Sequence, residues 1–170
     1  MPEIPPDSDD WSRSQATRRG RPAVFFIPNA TALRFSRRVA KHEEIVTIRF
    51  EDADPAGVIF YPRALALAHA VVENLIRSSP LGWNGWFAAP HQAAPLRRAE
   101  ADFLQPMKVG EEFAARASVE SLGHTSATFL VEFSDRSGRT AARIRTVHVL
   151  IDKRTGQPAP LTEEIRAALA

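Results

Sequence analysis

The first regular pattern in the chain is a short alternation of apolar and polar residues, followed by a long apolar stretch. Val46, Ile48 and Phe50 alternate with polar residues, which predicts a β-strand. A polar, turn-rich loop over 51–57 follows. The stretch over 62–79 is rich in alanine and leucine and apolar nearly all round, which predicts a long helix buried on most of its sides.

Four further strand-like runs and a terminal helix complete the pattern. The runs cover 94–104, 112–122, 125–135 and 139–152, with turn signals between them. The third run alternates most cleanly, with one face made of Thr125, Ala127, Phe129, Val131 and Phe133. Thr162 and the two glutamates after it suit the start of a short helix over 161–169.

This order of elements predicts the α+β class, with an antiparallel five-stranded sheet wrapped around one long central helix. A flat sheet covers only one side of a helix, so the sheet must curl to bury an apolar helix on most of its sides. Such an arrangement is the hot-dog fold. Because the helix is too apolar for one such sheet to cover, and an edge strand favours pairing, we expect a homodimer with edge-to-edge sheets, or a homotetramer.

The N-terminal part of the chain differs in composition from the rest. Residues 1–41 hold eight Arg or Lys residues against four acidic ones, and five of the 13 prolines. High charge, many prolines and little apolar periodicity are typical of a disordered segment. We therefore predict a basic, disordered extension over 1–43 that is dispensable for catalysis, and one folded domain over 44–170.

Composition excludes several classes of site and partner. The chain has no cysteine, which excludes a disulfide framework, a thiolate zinc site and a cysteine nucleophile. The histidines are not at metal-ligand spacing, so we expect neither a metal nor another cofactor. No apolar run approaches the roughly 20 residues that span a bilayer, and the formal charge of +2 does not favour nucleic acid. We expect a cytoplasmic protein that binds neither a membrane nor nucleic acid.

Two stretches of the chain resemble one enzyme family. Residues 49–62 read Arg-Phe-Glu-Asp-Ala-Asp-Pro-Ala-Gly-Val-Ile-Phe-Tyr-Pro and resemble the active-site loop of the 4-hydroxybenzoyl-CoA thioesterase family of hot-dog hydrolases. Residues 99–111 resemble the strand and turn that follow the helix in that family. The start of this stretch, with His69 and Glu73, is also similar to 1,4-dihydroxy-2-naphthoyl-CoA thioesterases. The resemblance covers 44–169 and implies a thioester hydrolase that converts an aromatic, hydroxylated acyl-CoA to the free acid and CoA.

The loop supplies candidates for two catalytic tasks, an attacking oxygen and polarisation of the thioester carbonyl. Asp54 can attack directly or act as general base for water, and the resemblance implies that this aspartate is catalytic. The N-terminus of the helix can polarise the carbonyl through N–H groups, which Pro62 lacks. The remaining donors are Tyr61, a loop amide such as Gly57, and the N–H groups of Arg63 and Ala64. In the family, the backbone N–H at the Tyr61 position fills this role.

Other side chains are candidates for substrate binding. His69 and Glu73 are four residues apart on the predicted helix, so they face the same side. Either they form a polar pair in an interface or the core, or His69 binds a ring hydroxyl of the acyl group. Phe60 can line an aromatic acyl pocket, although packing in the core or an interface is the favoured interpretation. Asp52, two residues before Asp54, is interpreted as a solvated or capping residue.

Three other functions fit the same fold. A hot-dog dehydratase would use a histidine with an acidic partner, and the pair of His69 and Glu73 resembles one. A non-catalytic acyl-CoA-binding domain would bind its ligand without turnover. A short-chain aliphatic acyl-CoA thioesterase is disfavoured, because many of these enzymes carry histidine where this chain has Tyr61.

Overall fold

The computed structural model of the protein describes residues 42–170. The predicted extension over 1–43 lies outside the described residues, apart from His42 and Glu43. These two residues belong to the first strand, which therefore begins two residues before the predicted domain boundary. No helix in the described range is long and apolar enough to cross a membrane.

The elements follow the predicted order, with small changes at their ends. The strands are β1 His42–Thr47, β2 Gln92–Ala93, β3 Leu96–Phe103, β4 Glu112–Leu122, β5 Ser126–Ser134, β6 Thr140–Val149 and β7 Ile151–Asp152. The helices are α1 Tyr61–Ser78, α2 Gly82–Trp86 and α3 Glu163–Leu169. The short strands β2 and β7 pair with each other outside the main sheet, so the predicted run over 139–152 is divided at Leu150.

The main sheet has five antiparallel strands in the order β1-β4-β5-β6-β3, and α1 packs against β1, β4 and β5. Four residues of β5 are buried on the face toward α1, as their alternation predicts: Ala127, Phe129, Val131 and Phe133. The prediction of a five-stranded antiparallel sheet with one long helix against it is confirmed.

Helix α1 buries one stripe of its surface. Its buried residues are Ala64, Ala68, Val71, Val72, Leu75 and Ile76. They recur at intervals of three or four, as on a single apolar face of a helix. Ala66, His69 and Ala70 are exposed in the single chain. The prediction of burial on most sides is therefore wrong for one protomer, because its sheet covers only the stripe that faces it.

The chain turns earlier than the alternation of its first strand predicts. Val46 and Ile48 are buried as expected, whereas Phe50 is 89% exposed. The cause is a single turn of 3-10 helix over Phe50–Asp52, which starts three residues after β1 ends. A 3-10 turn rotates successive side chains by about 120°, so it breaks the period of two on which the prediction for Phe50 depends.

The face of the sheet opposite α1 carries a row of alternating charge, the charged row. Its members lie opposite one another in register, one from each strand: Glu43, Arg116, Glu132, Arg143 and Asp102. Arg116 Nε lies 2.7 Å from Glu43 Oε2, and Arg143 Nε lies 2.8 Å from Glu132 Oε1. Beside the row, Arg145 pairs with Glu120 and with Glu100. This face is therefore polar, and much of its charge is neutralised within the chain.

Candidate active site

The loop that holds Asp54 is a tight turn closed by its own hydrogen bonds. The Asp54 N–H donates to the Val58 carbonyl at 2.9 Å, and the Gly57 N–H donates to the Asp54 carbonyl at 2.9 Å. Gly57 has a φ of 75°, a left-handed conformation that glycine adopts without the strain of a side chain. The turn therefore requires glycine at this position for its backbone conformation.

The carboxylate of Asp54 keeps one oxygen available. Its Oδ1 accepts a hydrogen bond from the Ala56 N–H at 2.8 Å, which fixes the orientation of the group. Its Oδ2 accepts no hydrogen bond from the residues between 42 and 170. Such a half-anchored carboxylate is oriented by one oxygen and can attack, or accept a proton, with the other.

The two stretches that carry the family resemblance meet in the structure. The Ile59 N–H donates to the Met107 carbonyl at 2.8 Å, and Val58 forms an isolated antiparallel bridge with Lys108. The turn after β3 thus supports the loop that holds Asp54 from one side. An open groove of about 350 Å³ lies along this contact. Its lining is mainly apolar, with Val58, Ile59, Phe103, Leu104, Pro106 and Met107.

Helix α1 begins with an uncapped and unpaired N-terminus. The residue before the helix, Phe60, makes no side-chain cap, and the first turn contains no acidic residue. The N–H groups of Arg63 and Ala64 both donate to the Phe60 carbonyl, at 2.8 and 3.3 Å. The Tyr61 N–H has no hydrogen-bond partner among the described residues. An open N–H at the positive end of a helix is a binding site for developing negative charge.

The hydrogen bonds show which of the four predicted N–H donors are already occupied within the chain. Gly57, Arg63 and Ala64 use their N–H groups within the loop and the first helical turn. Tyr61 alone among the four offers an N–H that is not already bound. Gly57 is required for the conformation of the loop, and its predicted part as a donor would need the turn to open.

Asp52 differs from the prediction in its burial. The residue is only 1% exposed, and Arg63 Nε donates to its Oδ1 at 2.8 Å. Its Oδ2 accepts the Arg49 N–H at 2.9 Å, so the predicted capping role is confirmed and the predicted solvation is wrong. Because Arg63 lies eleven positions along the chain, on a different element, only the fold brings these two groups together.

The candidates for substrate binding lie on the exposed side of α1. His69 Nε2 is 3.1 Å from Glu73 Oε1, so these residues share one side of the helix as predicted, and the His69 side chain is 48% exposed. The ring of Phe87 packs edge-on to His69 at 6.1 Å. Phe60 is 46% exposed, and its ring contacts that of Tyr61 at 5.3 Å. All of these positions can contact a ligand or a second protomer.

His148 lies near His69, and the sequence pattern predicted no functional role for it. His148 of β6 is 5% exposed, and its Nδ1 lies 3.0 Å from the Ala94 carbonyl oxygen. Burial lowers the pKa of His148; the hydrogen bond to Ala94 acts in the opposite direction, and the nearby His69 lowers the pKa further. We interpret His148 as a neutral core histidine that packs against Trp86 and Phe129.

The fold is that of a hot-dog protein, and its loop-helix junction holds an open N–H at the start of α1 and the half-anchored carboxylate of Asp54. Residues 48–169 match the profile of the Thioesterase-like superfamily, and the chain belongs to this family. The predicted resemblance to hot-dog acyl-CoA thioesterases is thereby confirmed, as is the prediction of a hydrolase acting on thioesters.

Individual relatives are more specific in their names. The 1,4-dihydroxy-2-naphthoyl-CoA hydrolase of Nostoc punctiforme is 30% identical over 119 residues, which cover 70% of this chain and 80% of the relative. The hydrolase of the same name from Acaryochloris marina is 28% identical over 70% of this chain and 88% of its own. The fold matches the crystal structure of a 1,4-dihydroxy-2-naphthoyl-CoA thioesterase from Synechocystis with a TM-score of 0.68, at 24% identity, covering 75% of this chain and 94% of that one.

Proposed function

We propose that the protein hydrolyses an aromatic, hydroxylated acyl-CoA to the free acid and CoA. The observation that carries the proposal is the pairing of a half-anchored carboxylate, Asp54, with an unbound N–H at Tyr61 in one loop-helix junction. The names of the relatives support an aromatic, hydroxylated acyl group. Since CoA thioesters are formed and used inside cells, this substrate class favours a cytoplasmic location.

The mechanism follows from the two groups. The Tyr61 N–H donates to the thioester carbonyl oxygen and stabilises the negative charge that develops there. The free Oδ2 of Asp54 either attacks the carbonyl carbon or removes a proton from the water that attacks it. In the first case CoA leaves as a thiolate, and water then cleaves the mixed anhydride. In both cases one water is consumed, and the products are the acid and CoA.

A release assay tests the reaction class. The purified protein is incubated with a panel of aromatic and aliphatic acyl-CoA esters, and free CoA is measured with a thiol reagent. We expect hydroxylated aromatic esters to be hydrolysed with the highest kcat/KM. Binding of these esters without release of CoA would contradict the proposal and would favour a binding domain.

His69 is proposed to contact a hydroxyl of the acyl ring. His69→Ala should lower kcat/KM for hydroxylated aromatic esters by about tenfold or more and leave benzoyl-CoA nearly unchanged, because only the hydroxylated ring loses a hydrogen-bond partner. Equal losses of kcat/KM on both esters would assign a structural role to His69.

We propose that the protein forms a homodimer through β3. This strand pairs only with β6 among residues 42–170, and its other edge is open. Its residues are almost all exposed in one chain, including Leu96 and Phe103. The exposed stripe of α1 lies outside the area that one sheet covers, which also favours a second protomer. An open edge of this length is a ready template for a copy of itself.

Charge selects the register of such a dimer. Side chains that lie opposite each other in an antiparallel pair are on the same face of the sheet. Because side chains alternate between the two faces along a strand, two-fold pairing places even-numbered residues opposite even-numbered ones and odd-numbered residues opposite odd-numbered ones. With Ala99 on the axis, Arg98 lies opposite Glu100 of the partner subunit in two symmetric pairs. A shift that centres Glu100 would place Arg98 opposite Asp102 of the partner subunit in two pairs as well, and would also bring two glutamates face to face on the axis. Opposite charges stabilise such cross-strand pairs and like charges destabilise them. The first register is therefore favoured.

A charge exchange tests this register. Arg98→Glu should weaken the dimer at micromolar concentration in sedimentation experiments, since it places a glutamate opposite Glu100. The double variant Arg98→Glu with Glu100→Arg should restore the dimer. Asp102→Lys is the matched control on the same edge, and its dimer should persist. A wild-type monomer, or a double variant as weak as the single one, would refute the register.

A further inference from the structure

We propose that Asp52 is a positioning residue for the reaction, holding the Asp54 loop and the Tyr61 N–H in one fixed geometry. This inference rests on the proposed function. Asp52 is the only buried carboxylate among the described residues, and the proposed mechanism does not use it directly. A buried charge destabilises a fold unless it is paired and hydrogen-bonded. The contacts of the Asp52 carboxylate therefore indicate which structural role keeps it buried.

The contacts of Asp52 join both ends of the catalytic loop. Before the loop, Asp52 Oδ2 accepts the Arg49 N–H at 2.9 Å, and the Asp52 N–H donates to the Arg49 carbonyl at 3.0 Å. After the loop, the Asp52 carbonyl accepts the Phe60 N–H at 2.8 Å. Its Oδ1 accepts from Arg63 Nε at 2.8 Å and lies 2.7 Å from Arg63 Nη2. The loop over 53–59 is therefore closed at its neck by one residue.

These contacts also fix the orientation of the Tyr61 N–H, because this group shares a peptide plane with the carbonyl of Phe60. The Phe60 carbonyl and the Tyr61 N–H belong to one planar peptide group, so fixing the first fixes the second. The Asp52 carbonyl holds the Phe60 N–H, and the Phe60 carbonyl accepts from Arg63 and Ala64. Asp52 also holds the side chain of Arg63 in the same helical turn. The direction of the open donor is thus set from both sides.

The same clamp positions the attacking carboxylate. Asp54 lies two residues after Asp52, and the bridge between Ala53 and Ile59 continues the closure of the neck. A displacement of about 1 Å between attacking and polarising groups lowers the rate by about a hundredfold. Loss of the clamp should therefore lower kcat while the residues proposed to contact the acyl group, such as His69, are unchanged and the substrate affinity is kept.

Substitution of Asp52 with a matched control tests the role. Asp52→Ala should lower kcat by about thirtyfold or more with KM changed by less than about threefold, because the catalytic groups remain while the side-chain contacts with the Arg49 N–H and with Arg63 are lost and only the backbone bonds of the neck stay. Asp52→Asn should recover part of kcat, since its amide oxygen still accepts the Arg49 N–H. Glu43→Ala removes a carboxylate from the exposed pair with Arg116 and should leave kcat unchanged. Unchanged kcat in Asp52→Ala would overturn the proposal.

A second variant and a second measurement keep the proposal testable if an Asp52 variant does not fold or if no acyl-CoA is hydrolysed. Arg63→Lys keeps the charge but loses the contact of two guanidinium nitrogens with Oδ1, and should lower kcat severalfold with little change in melting temperature. Amide hydrogen exchange of the segment over 53–61 should accelerate in the Asp52 variants and in Arg63→Lys, but not in Glu43→Ala. Exchange at the wild-type rate would overturn the clamp even if no acyl-CoA is hydrolysed; absence of wild-type turnover would contradict the proposed function alone.

Discussion

Asp54→Asn is expected to lower kcat by at least about a hundredfold with little change in substrate affinity. The substitution keeps the size of the side chain and the Oδ1 that accepts the Ala56 N–H, so the turn should retain its closure. It replaces the free Oδ2 with an amide nitrogen, which can neither attack a carbonyl nor accept a proton from water. Steady-state and single-turnover hydrolysis of a hydroxylated aromatic acyl-CoA measures the loss.

The chain offers a matched control for this substitution. Asp135 also begins a turn and accepts a backbone N–H two residues on, from Ser137 at 2.9 Å. The hydrogen bond from the Ser137 hydroxyl, together with those from backbone and arginine donors, holds the pKa of Asp135 down to about 2. Asp135→Asn should leave kcat within about twofold of wild type, since it removes a turn carboxylate that is not part of the loop that holds Asp54. Full activity of Asp54→Asn would overturn the thioesterase mechanism, and the dehydratase or binding domain would then be favoured.

Tyr61→Pro is expected to lower kcat by between about a hundredfold and a thousandfold, because it removes the one open N–H at the start of α1. Tyr61 is the first residue of the helix, a position that tolerates proline. Phe60 before it is extended, with φ of −72° and ψ of 123°, the conformation that a following proline favours. The backbone should therefore keep its course while the donor is lost.

Tyr61→Ala separates the N–H from the side chain. Alanine removes the exposed ring and keeps the donor, so kcat should fall far less than in Tyr61→Pro, whatever the change in KM. Circular dichroism and melting temperature of both variants check that α1 is retained. Equal kcat values in the two variants would show that the N–H does not polarise the carbonyl, and that the helix N-terminus has another role.

The sequence predicted the fold well where one periodicity determines the structure. The alternation in β5 identifies its buried face because successive side chains of a regular strand point to opposite faces, although Leu130 on the other face is buried as well. The prediction for Phe50 was wrong, because a single 3-10 turn ends the alternation and no residue type within 50–52 signals that turn. The apolar composition of α1 gave its length correctly, but composition alone does not show how many chains share its burial.

The candidate site was predictable to the extent that its chemistry is local. Pro62 lacks an N–H, so the residue type by itself excludes this position as a donor. The distinction between Tyr61 and Gly57 depended on a turn hydrogen bond that closes over three residues, and sequence does not fix such a bond. The burial of Asp52 depended on Arg63 from the next element, so the signal that separates it from a surface aspartate exists only after folding.

The charged row has a consequence for how dimers could stack. A second sheet laid on this face would strip water from the pairs of Arg116, Arg143 and Arg145, and the desolvation of buried ions costs several kcal/mol per ion. The face of the sheet opposite α1 is therefore expected to remain in contact with water. The opposite side presents Ala66 and Ala70, small residues that allow two helices to approach closely, with the single pair of His69 and Glu73 beside them. Any tetramer should accordingly form helix against helix rather than sheet against sheet, because that contact would bury fewer charged groups.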